Sequence, residues 1–401
     1  MAEVPAHRRS QVVGAVEHTH GGERTDAGRR APGEEAPPSR PPAHPALDTA
    51  FCRLLGIRHP VVQTGMGWVA GARLTAATSA AGGLGILASA TMTFDELVRA
   101  IGEVKDRTDA PFGVNLRADH GEVDRIADLL IDRHVALASF AAAPNERLIK
   151  SLRDGGVRTM PTIAARRHAE KVAAWGVDAV IAQGHEGGGH TGAIPTVLLL
   201  PEVTAAVDIP VLAAGGFKDG RGLAAALAWG AAGIAMGTRF LLTRESTVPD
   251  AVKQRYLAAG PADTVVTTAV DGQPQRVIRT DLVDRLERGP RAAVLVRAVR
   301  NAFRLRRLTG TGAADLVREG VGMRRSSELT WAQVAMAANA PMLTRAALVE
   351  GHLEAGILPT GQVAGTIDAL PSVAEVVEGV VAEADAVLRR LCGAGTTGEG
   401  A

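Results

Sequence analysis

Between residues 50 and 243, short apolar segments alternate strictly with helix-periodic ones, and this alternation limits the possible folds most. Strand-like segments end near Gln63, Leu87, Leu116, Phe140, Ile163, Gln183, Gly216 and Phe240, the first of them running from Leu54. Helical patterns over 74–81, 94–105, 123–132, 146–153, 167–175, 198–207 and 222–229 separate them. β–α alternation with short links implies a parallel sheet, and eight units suggest closure into a (β/α)8 TIM barrel. An open doubly wound sheet is the alternative.

The stretch from Ala182 to Gly192 is the candidate active-site loop. Val180 and Ile181 suit a strand buried on both faces. After Gln183 the strand gives way to Gly184, Gly187, Gly188 and Gly189 around His185, Glu186 and His190. Glycine packs nothing and costs backbone entropy, so such density points to main chain approaching a ligand. The unperturbed pKa of histidine lies near neutrality, which suits proton transfer. His185 and Glu186 are expected to hydrogen-bond backbone or meet solvent. The loop could also be a plain glycine-rich connection carrying two solvated histidines.

Two further glycine turns carry most weight. Ala213-Ala214-Gly215-Gly216 ends the seventh strand, and Met236-Gly237-Thr238 is expected within the eighth. In barrels, the loops after strands seven and eight form phosphate sites from backbone N–H groups. There is no companion dinucleotide-binding unit. Gly82-Gly83-Leu84-Gly85 follows a helix and precedes a strand, the wrong order for such a turn. A mononucleotide is therefore expected, and FMN is the candidate. Asn115, at a strand's C-terminal end, can both donate and accept, or simply form a turn.

The flanks are different in kind. Residues 1–49 are rich in Pro, Gly, Arg, Glu and His and are expected to be a disordered extension. Alternation stops after residue 243, and 244–355 is expected to be an α-rich insertion or lid. It contains a candidate hairpin across Asp271-Gly272 and a basic run at Arg297, Arg300, Arg304, Arg306 and Arg307. Residues 356–391 return to the barrel and end in a closing helix, and 392–401 form a flexible tail. Gln362, between two glycines, could reach back towards a flavin.

Composition removes several function classes. Aromatic residues are 3% of the chain, which argues against base-stacking nucleic-acid platforms, and the formal net charge is +1. Cys52 and Cys392 lack metal-ligand spacing, so reduced thiols and no metal are expected. Arg8 and Arg9 precede no apolar run, and the apolar stretch near 223–237 is broken by glycines. A cytoplasmic protein without a membrane span is expected.

The motif order Gln63-Thr64-Gly65-Met66, Gly113-Val114-Asn115, Gln183 to Gly192, Ala214-Gly215-Gly216 and Met236-Gly237-Thr238-Arg239-Phe240 resembles the nitronate monooxygenase family over roughly residues 50–385. The resemblance implies an FMN-containing TIM barrel with His190 as catalytic base. FMN would be held by Thr64, Gly65, Met66, Asn115, Gln183, Gly189, Ala214, Gly215, Gly216, Gly237 and Thr238. Where the family loop usually reads E-A-G-G-H, this chain has Glu186-Gly187-Gly188-Gly189-His190. A basic residue common on the family's fifth strand is replaced here by Thr159-Met160-Pro161-Thr162.

The implied reaction oxidises nitroalkanes or nitronates with O2 to carbonyl compounds and nitrite. The alternative is an FMN-dependent NAD(P)H reductase of enoyl thioesters or quinones, with NAD(P)H as co-substrate. An acyl-carrier partner belongs to that alternative alone. A third reading is a non-catalytic barrel. A small-molecule substrate is expected in the first two readings, and a homodimer is admitted.

Overall fold

The computed structural model describes residues 43–140, 144–288 and 339–393. Eight parallel strands close into a barrel: β1 (Val61–Gln63), β2 (Leu84–Ala88), β3 (Gly113–Leu116), β4 (Leu137–Phe140), β5 (Arg158–Ile163), β6 (Val180–Gln183), β8 (Val211–Ala214) and β9 (Ile234–Met236). Pairing of Val61, Val62 and Gln63 with Ile234, Ala235 and Met236 joins the first strand to the last. The expected (β/α)8 TIM barrel is therefore the fold.

The strand period of two sorts side chains between the barrel's two faces. Val62, Leu84, Ile86, Leu137, Met160, Ile181, Leu212 and Ala235 pack together in the interior. Val61, Leu87, Val114, Ala138, Val180, Val211 and Ile234 belong to the core shared with the outer helices. Helix α1 (Ala50–Leu55) adds Phe51, Cys52 and Leu55 to the interior cluster, sealing the end where the strands begin.

Helices α2 (Ala72–Ala80), α3 (Phe94–Arg107), α4 (Val123–Asp132), α5 (Glu146–Asp154), α6 (Arg166–Ala174), α7 (Thr196–Thr204) and α8 (Gly220–Ala228) form the crossovers. Three of these starts are set locally by side-chain caps. Thr93 and Glu96 form a capping box on α3, Asn145 caps Leu148 N–H, and Asp219 caps Gly222 N–H. After β9 come α9 (Thr238–Leu241), α10 (Asp250–Leu257), the strands β10 (Thr264–Thr267) and β11 (Gln275–Ile278), and α11 (Asp281–Arg288). The described chain resumes with α12 (Asn339–Leu348) and closes with α13 (Val373–Gly393), which packs on α8. The approach is close, since a Cβ at Gly220 would lie 2.4 Å from both Ala384 N and Val380 O.

Four expectations are corrected. Leu54 and Leu55 end helix α1 instead of opening a strand, because Gly56 takes a left-handed φ of 67° and stops the helix there. The eighth strand ends at Met236 and not at Phe240. Its last paired residue faces Gln63, the last of β1, so the apolar run from Thr238 turns helical once no ladder remains. Residues 43–49, assigned to the disordered extension, are ordered: Leu47 is buried, and the Thr49 hydroxyl donates to Ala232 O at 2.7 Å. The last helix runs two residues into the segment read as tail, through Cys392 and Gly393.

The hairpin across Asp271-Gly272 forms as β10 and β11. It also gains an unforeseen third strand, β7 (Gly189–His190), so the glycine-histidine loop is itself part of a sheet. The arginine run at 297–307 lies outside the described residues. No described helix is long and apolar enough to cross a membrane.

Candidate active site

Parallel strands place all eight C-terminal ends on one rim. The turns at Thr64–Met66, Gln183–Gly192, Ala214–Gly216 and Gly237–Thr238 therefore share it. Register orients the side chains. Asn115 pairs with Ser139, in phase with inward-facing Leu137 and Met160, and Gln183 pairs with Ala214, in phase with Ile181 and Leu212. Asn115, Gln183 and Ala214 thus face inward at the mouth. Asn115 is buried and donates through Nδ2 to Ser139 Oγ at 2.9 Å, while Ser89 Oγ donates to Asn115 O.

The first strand's turn packs against the third and last. A Cβ on Gly65 would lie 2.4 Å from Asn115 Cβ, and one on Gly237 would meet Thr64 Oγ1 and Met66 Sδ at 3.3 and 3.4 Å. Thr238 Oγ1 accepts a 2.9 Å bond from Gly361 N–H, so the returning segment is tied to this corner. Gly361 and Gln362 clamp the loop through backbone. Gln362 N–H donates to Glu186 O, and a Cβ on Gly188 would lie 2.5 Å from Gly361 N. The exposed Gln362 side chain takes no part in that clamp.

Within the loop, Gln183 Nε2 donates to His190 O at 2.7 Å, spanning its two ends. His185 Nδ1 bonds Gly192 O, and its N–H donates to Ile194 O. Glu186 accepts from Thr196 N and Oγ1, at the first turn of α7, and Thr196 Oγ1 also reaches Gly215 O at 3.1 Å. His185 and Glu186 are thus occupied by the backbone and by Thr196. Arg276 of β11 lies buried under the loop, donating to His185 O and Thr264 Oγ1. Burial pushes its guanidinium below the usual range, and the nearby Glu186 opposes that shift.

His190 is the loop's outward group. Its side chain is 61% exposed, and Nε2 lies 2.7 Å from Oδ2 of Asp271, whose side chain is only 4% exposed. Nothing local marked Asp271 as more than a hairpin turn; the partnership spans 81 residues.

The rim suits a mononucleotide. Gly189, Gly215 and Gly216 have φ of 66°, 98° and 85°, which L side chains rarely adopt. A Cβ on Gly189 would meet nothing within 4 Å, and one on Gly216 only Glu186 Cβ at 3.7 Å, so bare backbone faces open space. That is the surface a phosphate and a planar ring require. Among the described residues, no cluster of three or more His, Cys, Asp or Glu could hold a metal.

The sequence matches the nitronate monooxygenase family over residues 48–129 and 121–383. It is 60% identical over 341 residues to (3aS,4S,5R,7aS)-5-hydroxy-7a-methyl-1-oxo-octahydro-1H-indene-4-carboxyl-CoA dehydrogenase of Mycobacterium tuberculosis, across 84% of this chain and 96% of that one. Among solved structures, FabK from Thermotoga maritima superposes with a TM-score of 0.70 at 36% identity, covering 86% of this chain and 99% of that one. Nitroalkane oxidase from Streptomyces ansochromogenes superposes with a TM-score of 0.66 at 29% identity, covering 86% and 100%. With its closed barrel, its glycine rim and the family's sequence over residues 48–129 and 121–383, this protein belongs to the nitronate monooxygenase family and is an oxidoreductase.

Proposed function

We propose that this protein is an FMN-dependent dehydrogenase of an acyl-CoA thioester, with His190 as the base. One observation carries the substrate class: 60% identity across 96% of an indene-carboxyl-CoA dehydrogenase. Similarity to FabK fits the same flavin-barrel chemistry. FMN would be held by Thr64, Gly65, Met66, Asn115, Gln183, Gly189, Ala214, Gly215, Gly216, Gly237 and Thr238. Its phosphate would lie on the two glycine turns after β8 and β9. When bound, FMN supplies an acceptor for the electron pair that leaves the substrate as hydride.

The chain's own part is proton transfer. Hydrogens on carbon next to a thioester carbonyl are acidified, and a neutral imidazole can take one. His190 is exposed at the mouth, where substrate reaches it, and its partner Asp271 stabilises the imidazolium that forms. The described insertion segments, 244–288 and 339–355, are read as a lid over the mouth, and the first of them brings Asp271 to His190.

The second reading, oxidation of nitronates or nitroalkanes with O2 to carbonyl compounds and nitrite, is supported by the family match and by nitroalkane oxidase. Anaerobic mixing of the FMN-loaded protein with an alicyclic acyl-CoA, with propyl-2-nitronate or with NADPH separates the readings. Bleaching of the flavin band by the acyl-CoA alone is expected. Bleaching by nitronate, followed by nitrite when air is admitted, establishes the second reading. Bleaching by NADPH makes the protein a reductase that takes NAD(P)H as co-substrate.

A further inference from the structure

The carboxylate that meets His190 is supplied from outside the barrel, by the β10–β11 hairpin, and its placement is determined by more than one contact. His190 lies directly opposite Gln275, and Gly189 opposite Arg276. Thr191 N–H donates to Pro274 O, which extends the pairing by one residue. Inside the turn, Gly272 takes a φ of 87° and its N–H donates to Thr268 O. Asp271 Oδ1 accepts Gln273 N–H at 3.1 Å, which leaves Oδ2 for the imidazole. Backbone pairing on both sides therefore sets the 2.7 Å approach, and among the described residues the buried carboxylate bonds no other imidazole.

We infer that Asp271 is a positioning residue that holds His190 as its Nε2–H tautomer, so that Nδ1 is the atom that takes the substrate proton. This rests on the reading of His190 as the base. A carboxylate only accepts hydrogen bonds, so the hydrogen between Oδ2 and Nε2 belongs to the ring. A neutral imidazole carries one N–H, and Nδ1 then keeps its lone pair. Among the described residues no group bonds Nδ1, and the ring is largely exposed. When Nδ1 takes a proton from carbon, the C–H pair of electrons stays with the substrate and the resulting imidazolium keeps its Nε2–H···Oδ2 contact. Without the carboxylate, the ring is free to rotate and to place its single hydrogen on Nδ1, where it blocks acceptance.

The test uses the full-length FMN-loaded protein with 15N-labelled histidine, comparing wild type, Asp271→Asn, Asp271→Glu and His190→Ala. In wild type, ring 15N shifts should assign the hydrogen of His190 to Nε2. In Asp271→Asn, whose amide can donate to Nε2, they should move it towards Nδ1. Anaerobic flavin reduction by an alicyclic acyl-CoA should slow by about 10²- to 10⁴-fold in Asp271→Asn. FMN affinity and half-saturating substrate should stay within about twofold, and Asp271→Glu should recover part of the rate. The inference is overturned if Asp271→Asn keeps the Nε2–H tautomer, or slows reduction less than about threefold while His190→Ala abolishes it. If His190→Ala keeps the wild-type rate, or the acyl-CoA is inert, the base or substrate reading fails instead. The NMR arm then still decides the tautomer.

Discussion

At the scale of single residues, the rim glycines do two different jobs. Gly189 and Gly216 face open space, and their positive φ values are what a side chain would resist. Gly65 has ordinary backbone but no room, since its missing Cβ would lie 2.4 Å from Asn115 Cβ, an atom rigidly attached to β3. Gly65→Ala is therefore expected to cost about 1–3 kcal/mol by overpacking, read from urea denaturation, and, under the proposed function, to weaken FMN binding, read by fluorescence titration. An unchanged midpoint and affinity would show that the turn relaxes freely. All three glycines were visible in the sequence as turn residues. Which were spared for conformation and which for space was not, because the second depends on a neighbour 50 positions away.

At the scale of elements, the turn after β1 is linked to helix α12 by Trp68. This residue holds a φ of 65°, which is costly for a bulky side chain. Its N–H is met by Thr91 Oγ1 at 3.2 Å, and its indole Nε1–H donates to Pro341 O at 3.0 Å. The Arg345 guanidinium sits 5.0 Å from the ring centroid and is itself paired with Glu350. Trp68→Phe keeps a ring but removes the indole N–H, and it should lower stability by about 1 kcal/mol in a thermal or urea melt. No loss would mean the indole bond contributes nothing net and the turn is held by backbone alone. The helices of the barrel were legible to within a few residues because amphipathic period and caps are local. The stretch from Thr238 to Phe240 was misread as strand because a short apolar run has no period long enough to separate strand from buried helix.

At the scale of the whole molecule, Tyr256 reports on the integrity of the fold. It is the chain's single tyrosine, fully buried on α10, and its hydroxyl donates to Pro359 O at 2.9 Å, tying the insertion to the returning segment. Burial holds this phenol above its ordinary range. The folded state therefore keeps a proton that the unfolded chain releases near pH 10, and this group's stabilisation is present below that pH and lost as pH rises. Tyrosinate absorbance should appear only together with unfolding as pH is raised, a coincidence checked by following circular dichroism in parallel; ionisation well before unfolding would contradict the tight packing. What the sequence by itself determined was the alternation of strand and helix, the identity of the glycine turns and the family they resemble, because period, capping and backbone freedom reside in neighbouring residues. Only the tertiary structure decided that β1 meets β9, that Gly361 clamps the glycine loop and that Asp271 faces His190. Those contacts join positions far apart in the chain, and only the paired register of closed strands brings them within bonding distance.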